Sequence, residues 1–137
     1  MNEANLLSSD LVGHIGIEKY VCLITWRNGK IIMDEPVTIG GKDSGPDPYS
    51  TLLAALAGCT LSTLRMYIDR KGWQIPEIKV ELNLWQENIP ELITHIKRNI
   101  IFPDNILVEQ KNRLLIIAGK CPVSKILENK VSIHSTA

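Results

Sequence analysis

Residues 48–73 constrain the fold of this 137-residue chain more than any other stretch. The first half of this stretch, residues 52–59, contains no polar side chain, and charged residues appear only from Arg65 onward. Since a helix that is apolar on all sides must be buried on all sides, the sequence predicts a central helix with one end sunk in the protein. At about 1.5 Å per residue this helix would be about 35 Å long, the width of a small domain.

Length and composition predict one domain over residues 1–137, with enough apolar residues (45 %) for a core. Lys plus Arg and Asp plus Glu balance at 15 each, whereas nucleic-acid binding needs a basic face. The polar N-terminus lacks the pattern of a signal peptide, and the apolar run at residues 52–57 is far shorter than the ~20 residues of a membrane span. The sequence therefore predicts a cytoplasmic protein that contacts neither nucleic acid nor membrane.

Segments on both sides of the helix alternate or are rich in β-branched residues, which predicts strands. The N-terminal third is expected to form a β-meander with a hairpin at Asn28-Gly29, and 37–39 a further short strand. Asp47 would cap the long helix and Gly72 would end it in a left-handed conformation. The later elements expected are strands at 75–85 and 92–102, helices at 105–118 and 122–128, and a last strand at 131–134. This order predicts an α+β fold.

The three cysteines are Cys22, Cys59 and Cys121, an odd number for a secreted disulfide framework. A lasting structural disulfide is also rare in the cytoplasm. One interpretation is that all three are buried small apolar side chains. The other is that some of them are reactive, and their positions decide which.

Cys121 precedes a proline and is expected to cap a helix, where unpaired N–H groups and the helix dipole favour a thiolate. Lys120 and Lys125 are close in sequence and would act in the same direction. Cys59, in contrast, has apolar neighbours that raise a thiol pKa, and Thr63 one turn later helps only modestly. Local chemistry alone therefore predicts that Cys121 is the more acidic thiol, or that it merely packs as a cap.

Other common sites lack a motif in this sequence. The histidines His14, His95 and His134 are scattered without metal-ligand spacing, and the glycines at 40–45 do not form a phosphate-binding loop. No nucleophile elbow of a serine hydrolase is present. We therefore expect no metal site and no cofactor.

Two cysteine motifs carry a resemblance to a known family. The motifs are GPDPYSTLLAALAGCT at 45–60 and CPVSKIL at 121–127, joined by DEP at 34–36 and LRMYIDRKGW at 64–73. From about Asp34 onward the chain resembles the OsmC/Ohr family, the osmotically inducible and organic hydroperoxide resistance proteins. The resemblance implies an OsmC-like fold and an intertwined homodimer, in which two long helices are central and sheets from both subunits wrap them.

The resemblance also implies a reaction, the thiol-dependent reduction of organic hydroperoxides in stress defence. Cys59 would attack the peroxide as a thiolate and become a sulfenic acid, although local chemistry favours Cys121 as the acidic thiol. Cys121 would resolve the sulfenate as a disulfide, and a dithiol such as a lipoyl group or a small thiol would reduce it. The substrate pocket is expected at Tyr49, Ser50, Leu56 and Thr63.

The sequence departs from the family pattern at two places. Peroxidases of the family carry an acidic residue in the first turn of the long helix that orients an arginine from the N-terminal region, yet Tyr49, Ser50 and Thr51 include no acid. Arg27 is the candidate activator, and Ser124 replaces the histidine of the related CPVH motif. The alternative is a catalytically weak protein of this fold that binds a hydrophobic small molecule or a thiol metabolite, and a third possibility is a module acting beside a hydrolase domain.

Overall fold

A computed structural model describes residues 4–137. The chain forms two compact units, one that ends at Leu52 and one that spans Leu53–Ala137. The long helix, α1 at Pro48–Lys71, begins in the first unit and continues in the second. Strands β1–β3 precede this helix, and strands β4 and β5 and helices α2 and α3 follow it. The predicted α+β class is confirmed.

The N-terminal unit contains the predicted meander, an antiparallel sheet in the order β1-β2-β3. The strands are β1 at Val12–Ile15, β2 at Cys22–Trp26 and β3 at Gly29–Met33. The predicted hairpin is present, but its two-residue turn is Arg27-Asn28 rather than Asn28-Gly29, because Gly29 already pairs with Trp26 in the ladder. A Cβ at Gly29 would come within 2.6 Å of the Trp26 ring, so the glycine leaves room for the indole.

The strand predicted at Val37–Ile39 is wrong, because these residues form a single 3-10 turn. Its N–H groups are used locally: Ile39 donates to the carbonyl of Pro36 at 3.1 Å and Gly40 to that of Val37 at 3.0 Å. Gly40 ends the turn with φ +100°. Hydrogen bonds inside the turn leave no donors for a strand ladder.

The loop that leads to α1 is organised around the carboxylate of Asp34, which is 1 % exposed. Five donors surround it: the N–H groups of Tyr20, Glu35, Lys42 and Ser44 at 2.8–3.2 Å, and the Ser44 hydroxyl at 2.6 Å. The hydrogen bond from the Ser44 hydroxyl is the main reason that the pKa of Asp34 is far below its ordinary value. Burial raises this pKa, but the backbone donors lower it further. A Cβ at Gly41 would overlap the Glu35 carbonyl, so the loop also depends on this glycine.

Both predicted ends of α1 are confirmed. Asp47 accepts hydrogen bonds from the N–H and hydroxyl groups of Ser50, and these bonds hold the pKa of this carboxyl below its ordinary value. Gly72 follows the helix with φ +68°, and its N–H donates to the Asp69 carbonyl at 3.1 Å. A left-handed residue is best supplied by glycine, which explains why the helix ends there.

The prediction that α1 is buried on all sides is wrong for the single chain. Its buried residues lie on one face and are Leu56, Thr60, Leu64, Tyr67 and Ile68. On the other side lies a face that we call the small-residue face, made of Ala55, Gly58, Ser62 and Met66, all exposed. The core cluster of the C-terminal unit uses only the buried face of this 24-residue helix, through Leu64, Tyr67 and Ile68.

By length and composition alone, α1 would also be long and apolar enough to cross a membrane. Core helices of soluble proteins pass the same test. The C-terminal half of α1 supplies Leu64, Tyr67 and Ile68 to a buried apolar cluster with residues of later elements. We therefore interpret α1 as a core helix.

The C-terminal unit adds an antiparallel hairpin and two helices to α1. Strands β4 at Lys79–Glu87 and β5 at Ile93–Ile101 pair from Lys79↔Ile101 to Glu87↔Ile93. Helix α2 spans Val108–Ala118 and α3 spans Pro122–Leu127. The core cluster joins α1 to Ile75 and to the buried face of α2, Leu114, Ile117 and Ala118.

The predicted last strand at 131–134 is wrong. In the described chain, residues 130–137 have no regular structure, and Ile133 is 86 % exposed. Alternation over four residues indicates a strand only if another strand offers a ladder, and β4 and β5 form a two-stranded sheet with each other.

Candidate active site

The thiols of Cys59 and Cys121 meet at the first turn of α3. Cys121 is the N-cap of this helix, as predicted, and Pro122 occupies the first helical position. The sulfur of Cys121 accepts the N–H of Ser124 at 3.3 Å and the Ser124 hydroxyl at 3.4 Å. The side chain of Cys121 is fully buried, so these contacts take the place of water.

Cys59 reaches the same turn from α1. Its sulfur accepts the N–H of Val123 at 3.5 Å. The two sulfurs therefore accept from consecutive backbone N–H groups, Cys59 from Val123 and Cys121 from Ser124. Both cysteines are free in this structure, and Cys59 is partly exposed where Cys121 is buried.

The surroundings of the two thiols shift their pKa values in opposite directions. Burial raises the pKa of Cys59, and the hydrogen bond that its thiol donates to Cys121 raises it further, against the N–H of Val123 and the hydroxyl of Thr63. Burial opposes ionisation of Cys121 too, but hydrogen bonds from Cys59 and Ser124 outweigh it and lower the pKa of Cys121. The direction agrees with the expectation from the N-cap position.

Arg98 is the site residue that sequence reasoning missed. It lies on β5, and its Nη1 donates to Thr60 Oγ1 at 3.0 Å and to Ser124 Oγ at 2.7 Å. The signal was present in the alternation of β5, where Arg98 shares a half-buried face with Ile96 and Ile100. A charge on the inner face of a strand needs buried polar partners.

A cavity of about 410 Å³ opens beside Ser124, the residue whose hydroxyl contacts the Cys121 sulfur. One part of its wall is apolar, formed by Leu56, Ile96 and Leu127. The other part is polar, formed by Thr94, Arg98, Ser124 and Glu128. Apolar walls with a few placed polar groups are typical of a small-molecule site.

The other residues predicted for the site lie as follows. Leu56 is in the cavity wall, and Thr63 stands one turn after Cys59 with its hydroxyl directed to that sulfur. Tyr49 and Ser50 are exposed in the first turn of α1, where Ser50 bonds to the helix cap. Arg27 is exposed in the β2–β3 turn of the N-terminal unit. The roles assigned to these residues stay predictions.

Comparisons with known proteins agree on the fold. Residues 41–136 match the family model described as OsmC-like protein, and a search of curated proteins gives no match. A crystal structure from Psychrobacter arcticus 273-4, described as an osmotic stress induced and detoxification response protein, is similar with a TM-score of 0.73 at 19 % identity. The similarity covers 92 % of this chain and 91 % of that one.

Two other solved structures bear the name organic hydroperoxide resistance protein. The one from Elizabethkingia anophelis has a TM-score of 0.70 at 18 % identity and covers 90 % of both chains. The one from Legionella pneumophila has a TM-score of 0.68 at 16 % identity and covers 90 % of this chain and 91 % of that one. These structures share the fold of the chain, and the family match over residues 41–136 shows that the chain belongs to the OsmC-like protein family.

Proposed function

We propose that this protein is a thiol-dependent peroxidase that reduces organic hydroperoxides in stress defence, with Cys59 as the attacking thiol and Cys121 as the resolving one. The observation that carries the proposal is the meeting of the two thiols at the first turn of α3, close to a cavity whose wall is partly apolar. The names of the Elizabethkingia and Legionella proteins point to the same chemistry.

The reaction follows from the exposure of the two sulfurs. Cys59 is the more accessible thiol, and its sulfur attacks the outer peroxide oxygen, so the O–O bond breaks and the alkoxide leaves as the alcohol with the thiol proton. The buried Cys121 then attacks the sulfenic acid of Cys59, which forms the disulfide and releases water after uptake of a proton. A dithiol reductant, a lipoyl group or a small thiol, restores both thiols in the reducing cytoplasm.

The first experiment follows thiols and mass in the same sample. Reduced protein is mixed with cumene hydroperoxide, with hydrogen peroxide in a parallel sample, and free thiols are counted while the intact mass is measured. We expect fast loss of two thiols, a mass lower by ~2 Da, and a mapped Cys59–Cys121 link. Faster reaction with the organic peroxide supports the substrate class. Thiols that persist as long as free cysteine would contradict the peroxidase.

The second candidate function is binding without turnover. It is favoured by the first turn of α1, which holds no acidic residue to orient an activating arginine. In this case the cavity holds a hydrophobic small molecule or a thiol metabolite. A stable complex seen by native mass spectrometry, together with peroxide consumption no faster than that of cysteine, would support this alternative.

The activating arginine in the proposed reaction is Arg27 or another arginine of the chain. Arg27→Gln and Arg98→Gln are therefore compared at the same peroxide concentration. We expect the variant that lacks the activator to lose at least about tenfold in the rate of Cys59 oxidation, the typical weight of one charged partner. Equal rates in wild type and both variants would contradict activation by either residue.

The homodimer is proposed on the basis of the small-residue face of α1. Gly58 lies on this face, and a Cβ placed on it meets nothing within 4 Å in the single chain. A helix face with little side-chain bulk lets a second helix approach closely, and an exposed face on a largely apolar helix is a candidate interface. A second copy that packs there would complete the burial predicted from the sequence.

We expect wild type to sediment at twice the 15.3 kDa chain mass and Gly58→Lys to shift it to the monomer, because a buried unpaired charge is costly. Glu109→Lys, an exposed charge change on α2, is the control and should keep the dimer. A wild-type monomer at all concentrations, or a dimer that tolerates Gly58→Lys, would contradict this interface.

A further inference from the structure

The guanidinium of Arg98 has no carboxylate within 4.0 Å among residues 4–137. Its Nη1 donates instead to two hydroxyls, those of Thr60 and Ser124, which are both buried. Burial of a cation costs free energy unless a negative charge or several acceptors compensate it. The two hydroxyl partners are uncharged, so the compensating negative charge must lie beyond them.

The directions of the hydrogen bonds indicate where this negative charge lies. A hydroxyl that accepts from Arg98 turns its own proton away from the guanidinium. The Thr60 hydroxyl donates to the Leu56 carbonyl at 2.7 Å, so that branch ends on the helix backbone. The Ser124 hydroxyl donates to the Cys121 sulfur at 3.4 Å, so this branch ends on an ionisable group. Of the two branches, the one through Ser124 can transmit the electrostatic effect of Arg98 to a thiol.

We propose that Arg98 is a positioning residue that acts through the Ser124 hydroxyl to hold the Cys121 sulfur as the resting thiolate of the pair. A donor that itself accepts from a cation is polarised and makes a stronger hydrogen bond. The Ser124 N–H and hydroxyl then both point to the negative sulfur. The role of Cys121 in disulfide closure rests on the peroxidase proposed above, whereas its ionisation does not.

The other charged or ionisable groups around Cys121 come from three elements. The Cys59 thiol on α1 lowers the pKa of Cys121. Glu128, the C-cap of α3, lines the same cavity as Arg98 and acts in the opposite direction. Lys120 and Lys125 are neighbours in sequence but are exposed to solvent, where water screens their charge. The half-buried guanidinium of Arg98 is thus the cation with the least screened path to the sulfur among the described residues.

This arrangement prepares the second chemical step. In the reduced pair one proton lies on Cys59, and the negative charge lies on Cys121. After the peroxide has converted the Cys59 thiol to a sulfenic acid and left as the alcohol, Cys121 is already ionised. Its sulfur attacks the Cys59 sulfur, the S–O bond breaks, and the hydroxide takes a proton from solvent to leave as water. Loss of the Arg98–Ser124 link should therefore slow disulfide closure more than sulfenate formation.

The decisive measurement is a thiolate titration of the reduced full chain, followed by absorbance near 240 nm without peroxide. The background is Cys22→Ser with Cys59→Ser, in which Cys121 is the only thiol. We expect Ser124→Ala and Arg98→Met to raise the titration midpoint by at least about one pH unit, which is a tenfold loss of thiolate. Arg98→Lys should recover part of the shift, because it keeps the charge but not the fork of donors.

Thr60→Val is the matched control, because it removes the other hydroxyl bound to the same nitrogen of Arg98 without removing a donor to sulfur. Its midpoint should stay within about 0.3 pH unit of the parent. Equal shifts in Thr60→Val and Ser124→Ala would assign a purely structural role to Arg98 and overturn the proposal. An unchanged titration midpoint in Ser124→Ala would also overturn the proposal. This variant retains the guanidinium, so it tests the proposal even if Arg98→Met fails to fold.

A peroxide arm separates this proposal from the proposed function. In chains with Cys59 and Cys121, a dimedone probe is expected to trap more Cys59 sulfenate in Ser124→Ala than in Thr60→Val. If neither thiol reacts with peroxide, the peroxidase is wrong, and the titration result for Arg98 stands by itself. If sulfenate forms but Ser124→Ala closes the disulfide at the parent rate, the role in closure is overturned.

Discussion

Cys59→Ser is expected to abolish peroxide consumption, and Cys121→Ser is expected to permit about one turnover that ends at a stable sulfenate. The physical reason is the difference in access between the sulfurs, since Cys121 is fully buried and Cys59 is partly exposed. A serine at position 59 offers no sulfur to oxidise. A serine at position 121 leaves the sulfenate without the thiol that would close the disulfide.

Stopped-flow peroxide consumption over several turnovers, with a regenerating dithiol, measures both effects. Cys22→Ser is the matched control, because it removes the remaining thiol, which lies in β2 of the N-terminal unit with its Sγ 3.6 Å from the Tyr20 carbonyl oxygen. It should retain the wild-type rate within a factor of about two. Full turnover in Cys59→Ser would show that the roles of the two thiols are assigned wrongly.

The pH dependence of the first step gives a further check. Because the pKa of Cys59 is raised and that of Cys121 is lowered, the attacking sulfur is protonated over most of the range near neutrality. We expect the rate of Cys59 oxidation to rise with pH through the upper part of the range in which the protein is folded. In Cys121→Ser the interaction with the Cys121 thiol that raises the pKa of Cys59 is lost, so the rise should move to lower pH. A flat rate from pH 6 to 9 would contradict this distribution of charge.

Features set by short sequence motifs were predicted well. The ends of α1 at Asp47 and Gly72 and the cap of α3 at Cys121 depend on the preferences of residues within one turn. The β2–β3 hairpin likewise depends on a few adjacent residues, and its turn lies one residue before the predicted position. In each case the hydrogen-bond partners are neighbours in sequence.

Features set by distant partners were not predicted. The link from Arg98 to Thr60 joins positions 38 apart, and the link to Ser124 joins positions 26 apart, so no local motif shows them. The strand expected at 131–134 failed because a strand needs a partner from elsewhere in the chain. The exposure of Gly58 was not predicted for the same reason. The apolar composition of α1 indicates that its surface is to be covered, but it does not indicate which chain covers it.

Asp34→Asn is expected to cause the largest loss of stability among the variants considered, with a melting temperature lower by about 10 °C. Oδ1 accepts the N–H groups of Tyr20 and Glu35, whereas Oδ2 accepts those of Lys42 and Ser44. An asparagine must place its NH₂ group at one of these two positions. In either orientation two backbone donors face another donor, and the loop that leads to α1 loses its anchor.

Thermal unfolding followed by circular dichroism measures this loss, with Asp47→Asn as the matched control. The control makes the same chemical change at an exposed helix cap, where asparagine is as good as aspartate, so its melting temperature should change by no more than about 2 °C. Equal losses in the two variants would show that the buried network around Asp34 does not hold the loop together.

The stabilisation by Asp34 has a defined pH window. Because the pKa of this carboxyl is lowered in the folded chain, its contribution is fully present above the unfolded pKa of about 4 and is lost as the pH falls below that value. The melting temperature of the wild type should therefore fall more steeply between pH 5 and pH 2 than that of Asp34→Asn, and the two curves should converge in acid. Parallel curves would mean that Asp34 is not ionised in the folded loop, and the donors around it would then require another source of negative charge.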